Sequence, residues 1–386
     1  MRELRALTAP TRADVLTTLV PALAAALDGA GPALLPLPTG GTRSAVLAAM
    51  DPSRPLERDD VALVVPTSGS TGEPKGVLLT ADALRHSARA THERLGGPGQ
   101  WVLALPVTHV AGLTVLVRSL LARTRPEVLD LYAGFNVDAF SAATSRLHPR
   151  TPHYTSLVPT QLRRLLDAGI DLTTYDAVLV GGAALSAELK DRAEGAGVRV
   201  VTTYGMSETC GGCVYDGEPL DGVDVTVGVD GRVSVGGPVV FAGYRLRPDL
   251  TAESLVGGRH VTQDVGRWSA EGRLEVLGRA DDVVVSGGEN VPAAMVERVL
   301  GGHPGVAAVA VVGRPDAEWG ERVVAVVQPA DPTAPPTVED LRAYAGQRLE
   351  PAALPREVVV LGMLPLLASG KPDRLAVRSL VAAHPS

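Results

Sequence analysis

The sequence predicts an α/β protein in two parts, a large N-terminal domain over residues 1–278 and a smaller α+β domain over residues 279–386. Three observations carry this expectation. The length of 386 residues exceeds what one hydrophobic core usually fills. Between residues 61 and 203, short apolar runs alternate with stretches of helical period, the pattern of a parallel α/β sheet. From Gly222 onward, short strands with glycine turns replace that alternation, which predicts a β-rich subdomain before the last block.

Taken in order, residues 1–60 read as short helices and a proline-rich connection without catalytic signals. Residues 61–65 form a continuous apolar run, hence a buried strand. Leu84, Ala88, Thr91 and Leu95 recur at helical spacing, with Thr80 available as N-cap. Residues 101–105 read as a strand and 110–122 as a buried helix. Strands follow at 155–158, 177–180 and 198–203, separated by a helix at 160–168 stopped by Gly169 and a helix from Ser186 to about Gly195. The short strands of the β-rich part continue to residues 274–277. The last block opens at Gly278 with a strand at 283–285 and a helix over 292–300 that carries proline in its first turn. Strands at 306–312 and 323–327, a helix at 338–347, a strand at 358–360 and a terminal helix complete it.

Composition excludes several classes. The hydrophobic fraction of 45% supports a large core, and a net charge of -7 leaves no basic footprint for nucleic acid. The N-terminus carries charges where a secretory leader is apolar, and Pro106, His109, Gly112 and Arg118 interrupt the most apolar window, so no membrane span is expected. Cys210 and Cys213 form a C-x-x-C, which supplies only half of a structural zinc site and reads as incidental thiols in a reducing cytoplasm. A homodimer is left open.

Chemistry concentrates after the first strand. In Thr67-Ser68-Gly69-Ser70-Thr71-Gly72 the glycines let the backbone turn its N–H groups toward one point, which several hydroxyls and the ammonium of Lys75 also reach. That is a cradle for a triphosphate. Pro74 stands where the common P-loop needs glycine, so the loop is of another kind. The string TSGSTGEPKG resembles the phosphate-binding signature of the adenylate-forming superfamily, which includes acyl-CoA synthetases, adenylation domains and luciferases. Four further stretches match the superfamily in the right order. The resemblance therefore covers nearly the full chain, and the fold class becomes a large adenylate-forming domain with a small mobile C-terminal domain.

The resemblance implies a role for each matched residue. Gly181, Gly182 and Ala183, free of large side chains after a strand, correspond to the adenine wall. In Tyr204-Gly205-Met206-Ser207-Glu208-Thr209, Tyr204 corresponds to the ring that stacks on adenine, Glu208 to a ligand of Mg²⁺, and Thr209 to a residue facing the α-phosphate. Asp264 matches the aspartate that takes both ribose hydroxyls, although Gln263 stands where the family usually has glycine. Arg279 resembles the second ribose contact, and Asp281 sits at the hinge position. Lys371, in Ser369-Gly370-Lys371-Pro372, resembles the lysine that serves adenylation, with Thr71, Glu208 and His109 counted beside it as catalytic. A cation is needed there because a carboxylate must approach the α-phosphate, and two anions repel. Gly287 and Gly288 suit a thin wall along a pantetheine arm.

These assignments imply a two-step ligase. A carboxylic acid attacks ATP, with Mg²⁺, to give acyl-AMP, and coenzyme A then displaces AMP after the small domain has turned about its hinge. The shortened region before the phosphate loop and the strings around His109, at 156–162 and at 204–217 are most similar to one acid–CoA ligase branch, whose acid carries two carboxylates. There His109 corresponds to the gate of the acyl pocket. Arg118, interrupting an apolar helix, is the candidate partner of the spare carboxylate; the alternative for it is an arginine placed by the helix dipole. Two other functions fit the same motifs: loading another acid onto CoA or a carrier protein, and non-catalytic sensing of an acyl-adenylate.

Overall fold

The structure, a computed structural model, describes all residues except 1, 10, 69–73, 367–371 and 384–386, and of Asp281 only the backbone. It falls into two compact units, residues 1–182, 193–226 and 234–262 in the first and residues 183–192, 227–233 and 263–386 in the second. Among the described residues no helix is long and apolar enough to cross a membrane.

The first unit holds two sheets. One runs in the order β1 (Leu4–Leu7), β2 (Ala33–Pro36), β3 (Val61–Ser68) and β4 (Pro74–Thr80). Strands β1 to β3 are parallel, and β4 returns antiparallel to β3, with Ser68 opposite Pro74. The expected strand at 61–65 is therefore the first part of a longer strand, residues 61–68, paired antiparallel with residues 74–80. Strands β1 and β2 depart from the expectation of helices before residue 60. Four-residue runs such as LRAL and ALLP carry no period that separates strand from helix, and only pairing to a neighbour decides.

The second sheet contains β5 (Gln100–Leu103), β6 (Glu127–Val128), β7 (His153–Leu157), β8 (Ala177–Gly181), β9 (Val200–Met206), β10 (Gly211–Tyr215) and β11 (Glu218–Pro219). Strands β5 to β9 are parallel, as the alternation predicts, and β10 turns back against β9. Helices α1 (Ala81–Leu95), α2 (Val110–Ala122) and α3 (Pro159–Asp167) are those expected. The Thr80 hydroxyl accepts from the Ala83 N–H at 3.1 Å and caps α1, and Gly96 ends it in the left-handed conformation. Leu84, Ala88, Leu113, Val117, Trp101 and Leu179 are buried in one core under these helices. Aliphatic side chains fill most of it, as a chain with three Phe and three Trp requires.

The chain continues through β12 (Asp224–Val227), β13 (Arg232–Gly236), β14 (Leu255–Val256), β15 (Arg259–Trp268) and β16 (Leu274–Arg279), short strands as predicted except for the ten-residue β15. In the second unit, β17 (Val283–Ser286), β18 (Glu289–Pro292), β19 (Val306–Asp316), β20 (Gly320–Pro329) and β21 (Glu357–Val360) form one sheet. Helices α4 (Ala293–Leu300), α5 (Val338–Ala345) and α6 (Arg374–Ala383) accompany it. Val296, Leu300, Val323, Val327 and Leu341 form one buried cluster, and Val312, Val326, Val377 and Val381 another.

Two glycines set how tightly the second sheet closes. A methyl on Gly205 would run into the backbone of Gly211 across the β9–β10 turn, where nothing can yield. A methyl on Gly181 would meet the Thr203 side chain, which can rotate. Gly205→Ala should therefore destabilise by about 2–3 kcal/mol and Gly181→Ala by about 1 kcal/mol, read by urea unfolding. Equal losses would place the constraint elsewhere.

Candidate active site

Three side chains from distant parts of the first unit meet beside the Ser68–Pro74 end of the β3–β4 pair. Lys75 Nζ lies 3.0 Å from Glu208 Oε1 and 2.9 Å from the Tyr244 hydroxyl, and that hydroxyl donates to Glu208 Oε1 at 2.7 Å. The lysine also sits 4.3 Å from the centre of the Tyr244 ring. Lys75 is carried by β4 opposite Thr67, whose hydroxyl donates to the Lys75 carbonyl at 3.4 Å. Tyr244 reaches the cluster because it bridges Val77 of the same strand. Beyond it, Arg245 is fully buried and donates to the carbonyls of Met50, Asp51, Arg54 and Pro55 and to Glu57. Gly76 leaves the space in which Met50 and Arg245 pack.

Glu208 sits in a short turn, Ser207–Thr209, closed by Thr209. The Thr209 hydroxyl accepts from the Met206 N–H at 3.0 Å and donates to the Gly211 carbonyl at 2.8 Å. Thr209 is fully buried, and its hydroxyl, engaged by backbone on both sides, fastens the turn that carries Glu208. Burial pushes the Glu208 carboxyl up, but the charges of Lys75 and His260 and the Tyr244 hydrogen bond outweigh it and hold it below the ordinary carboxylate range. Burial, followed by the Glu208 charge, pushes the Tyr244 phenol up, so it remains a neutral donor. Sequence reasoning missed Tyr244 and His260. A tyrosine directly after a glycine in an aromatic-poor chain was the one available signal.

The remaining expected residues take the following places. Tyr204 and Gly205 lie on β9 and Met206 ends it, Gly181 ends β8 opposite Thr203, and Gly182 and Ala183 follow exposed. His109 is the N-cap residue of α2, held where Gly112 lets the helix approach the Leu105 and Pro106 carbonyls. Arg118 is buried on α2, its guanidinium 5.0 Å from the Trp101 ring centre and 3.3 Å from the Tyr215 hydroxyl. Cys210 and Cys213 are buried, and burial pushes the Cys213 thiol up to about 12.

In the second unit, the two expected ribose contacts are cross-strand partners: Asp264 on β15 faces Arg279 on β16, 3.9 Å apart. Gly287 and Gly288 make the β17–β18 turn with φ of +63° and +82°, and the Gly287 N–H donates to the Trp319 carbonyl at 2.9 Å. Asp281 lies in the short turn Ala280–Asp282, and its neighbour Asp282 is paired with Arg374 at 2.9 Å and Arg378 at 3.1 Å. Gly69, Ser70, Thr71, Gly72 and Lys371 lie outside the described residues.

The cluster is a lysine–carboxylate–phenol triad at the end of the β3–β4 strand pair, and the similarities define the class of protein that holds it. Residues 9–258 match the AMP-binding enzyme family and residues 295–371 the AMP-binding enzyme C-terminal domain, so the chain belongs to this adenylate-forming, AMP-forming ligase family. Over 381 residues it is 46% identical to the probable 2-succinylbenzoate–CoA ligase of Mycobacterium tuberculosis, covering 97% of each chain. It is 32% identical over 350 residues to the 2-succinylbenzoate–CoA ligase of Bacillus cereus, covering 84% of this chain and 71% of the relative. Among solved structures, the o-succinylbenzoate CoA synthetase of Bacillus subtilis in complex with its acyl-adenylate intermediate matches with a TM-score of 0.79 and 26% identity, over 98% of this chain and 88% of that one. The resemblance read from the motifs is thereby established at the level of family, fold and enzyme class.

The Lys75–Glu208 pair gives a pH-dependent prediction. Because the folded-state pKa of Glu208 is depressed, its ionised form stabilises the fold above the unfolded carboxylate value and that contribution is lost as pH falls through the folded value. Lys75→Met should leave a buried carboxylate uncompensated and cost about 3–5 kcal/mol at pH 7.5. The loss should shrink at pH 5, where the carboxyl can take a proton, and in the double variant with Glu208→Gln. A loss independent of pH in chemical denaturation would contradict this account.

Proposed function

We propose that this chain ligates 2-succinylbenzoate to coenzyme A at the expense of ATP, through an acyl-AMP, in menaquinone biosynthesis. The near full-length identity of 46% with a relative of that name is the observation that carries the substrate. The charge cluster carries the chemistry. ATP phosphates take the loop of Thr67, Ser68, Gly69, Ser70, Thr71 and Gly72, and Lys75 passes from Glu208 to the phosphates as they arrive. Both hydrogen bonds to the Glu208 carboxylate fall on Oε1, which leaves Oε2 as a hard oxygen donor for Mg²⁺. Glu208 would hold that ion, for which a single protein carboxylate suffices, and when bound it would supply charge neutralisation for the phosphates. Tyr204, with Gly181, Gly182, Ala183, Gly205, Met206 and Ser207, receives the adenine, and the Asp264–Arg279 pair receives the ribose.

His109 gates the acyl pocket, and Arg118 takes the carboxylate that is not activated. Arg118 suits this role because it is buried, its Nε lacks a hydrogen-bond partner, and no carboxylate pairs with it among the described residues. Residues 1–278 and 279–386 act as two domains about Asp281, with Lys371 serving adenylation and the Gly287-Gly288 turn serving the pantetheine arm. The enzyme works in the cytoplasm. A homodimer belongs to the same proposal and is read by sedimentation.

The test is pyrophosphate release with 2-succinylbenzoate, followed by thioester formation with CoA; a protein that releases none with this acid refutes the substrate. Lys371→Ala should abolish pyrophosphate release while thioester still forms from supplied acyl-AMP and CoA, and equal loss of both steps would refute the division of roles. Asp281→Pro fixes φ at the pivot and should impair the thioester step while sparing adenylation. Wild-type rates for both steps would move the pivot elsewhere.

A further inference from the structure

The recognition of the acid requires a buried guanidinium held ready before any carboxylate reaches it. Arg118 stands one helical turn beyond Thr114, which packs beside Gly211, two residues past the turn's Thr209. Its planar head lies against the Trp101 ring, and Nη2 points at the hydroxyl of Tyr215, itself buried on β10. That hydroxyl has one further partner, Thr91 on α1, at 3.0 Å. The Thr91 hydroxyl donates to the Ser87 carbonyl at 2.8 Å, so its proton is committed and it accepts from Tyr215. The Tyr215 proton is committed in turn, and its lone pair faces Arg118. Hydrogen bonds therefore run in one direction, from Arg118 through Tyr215 and Thr91 to a helix carbonyl.

We propose that Tyr215, polarised by Thr91, is a positioning residue that fixes Arg118 for the distal carboxylate of the acid and so sets the preference for a dicarboxylic substrate. The proposal rests on the reading of Arg118 given above. A neutral acceptor suits the task better than Asp or Glu would. A carboxylate at position 215 would neutralise Arg118 and compete with the substrate, whereas a hydroxyl holds one nitrogen and leaves the charge for the ligand. The Trp101 face restrains the guanidinium plane, and the tyrosine then fixes its rotation within that plane.

Steady-state kinetics with varied 2-succinylbenzoate and ATP test it. Tyr215→Phe should raise KM for 2-succinylbenzoate about 5- to 20-fold, with KM for ATP and kcat within about twofold of wild type. Thr91→Val should raise the same KM by a smaller factor of about 3, and Thr91→Ser should restore it, because serine keeps the acceptor. Arg118→Leu should raise KM more than either and improve use of monocarboxylic acids. An unchanged KM in Arg118→Leu would refute the reading of Arg118 and this proposal with it. A raised KM in Arg118→Leu, with Tyr215→Phe and Thr91→Val both like wild type, would refute the positioning role alone. Losses in Tyr215→Phe shared equally by kcat and both KM values would show a purely structural tyrosine.

Discussion

An ionised carboxylate buried away from water is the constraint around which the first unit is arranged. Glu208 is 6% exposed, and an uncompensated charge there would cost several kcal/mol, a large part of the stability of an ordinary domain. Its compensation comes from Lys75 and Tyr244, which are 133 and 36 residues away in the chain. The fold must therefore bring a hairpin arm, a strand-end turn and an irregular segment to one point. A site assembled under that demand is preorganised. The same lysine stabilises the carboxylate and lies next to Pro74 at the end of the strand pair.

Backbone geometry meets the demand where side chains cannot. The β3–β4 pairing places Lys75 opposite Thr67, and the bridge between Val77 and Tyr244 lays the tyrosine alongside that strand. Arg245 then anchors the segment by filling its guanidinium donors with carbonyls 190 to 195 residues away, which secures Tyr244 from behind. The close approach of Gly205 to Gly211 turns the chain sharply after Glu208, and Thr209 fastens that turn.

Similar physics recurs in the second unit with the signs exchanged. Arg374 lies between Asp282 and Glu297, and Arg378 reaches Asp282 as well, so the terminal helix is tied to the segment next to the proposed pivot. The residues that carry the proposed adenylation lysine lead directly into that helix. Register alone sets Asp264 against Arg279, because the two are cross-strand partners in an antiparallel pair.

Local chemistry in the sequence was enough for helix α1 with its Thr80 cap, for helix α2 at its observed limits, for the central parallel strands and for the order of the nucleotide motifs. Each of these follows from neighbours in the chain: a period, a cap, a glycine turn. Strands β1 and β2 were not legible, since a four-residue strand has no signature apart from its partner. Nor were Tyr244, His260, Arg245 and Tyr215, whose roles exist only because strand pairing brings them to groups between 36 and 195 residues distant. The order of the nucleotide motifs was thus determined by the sequence by itself, while the tertiary structure decided which side chains surround Glu208 and Arg118, because burial and distance to an opposite charge are properties that no local stretch possesses.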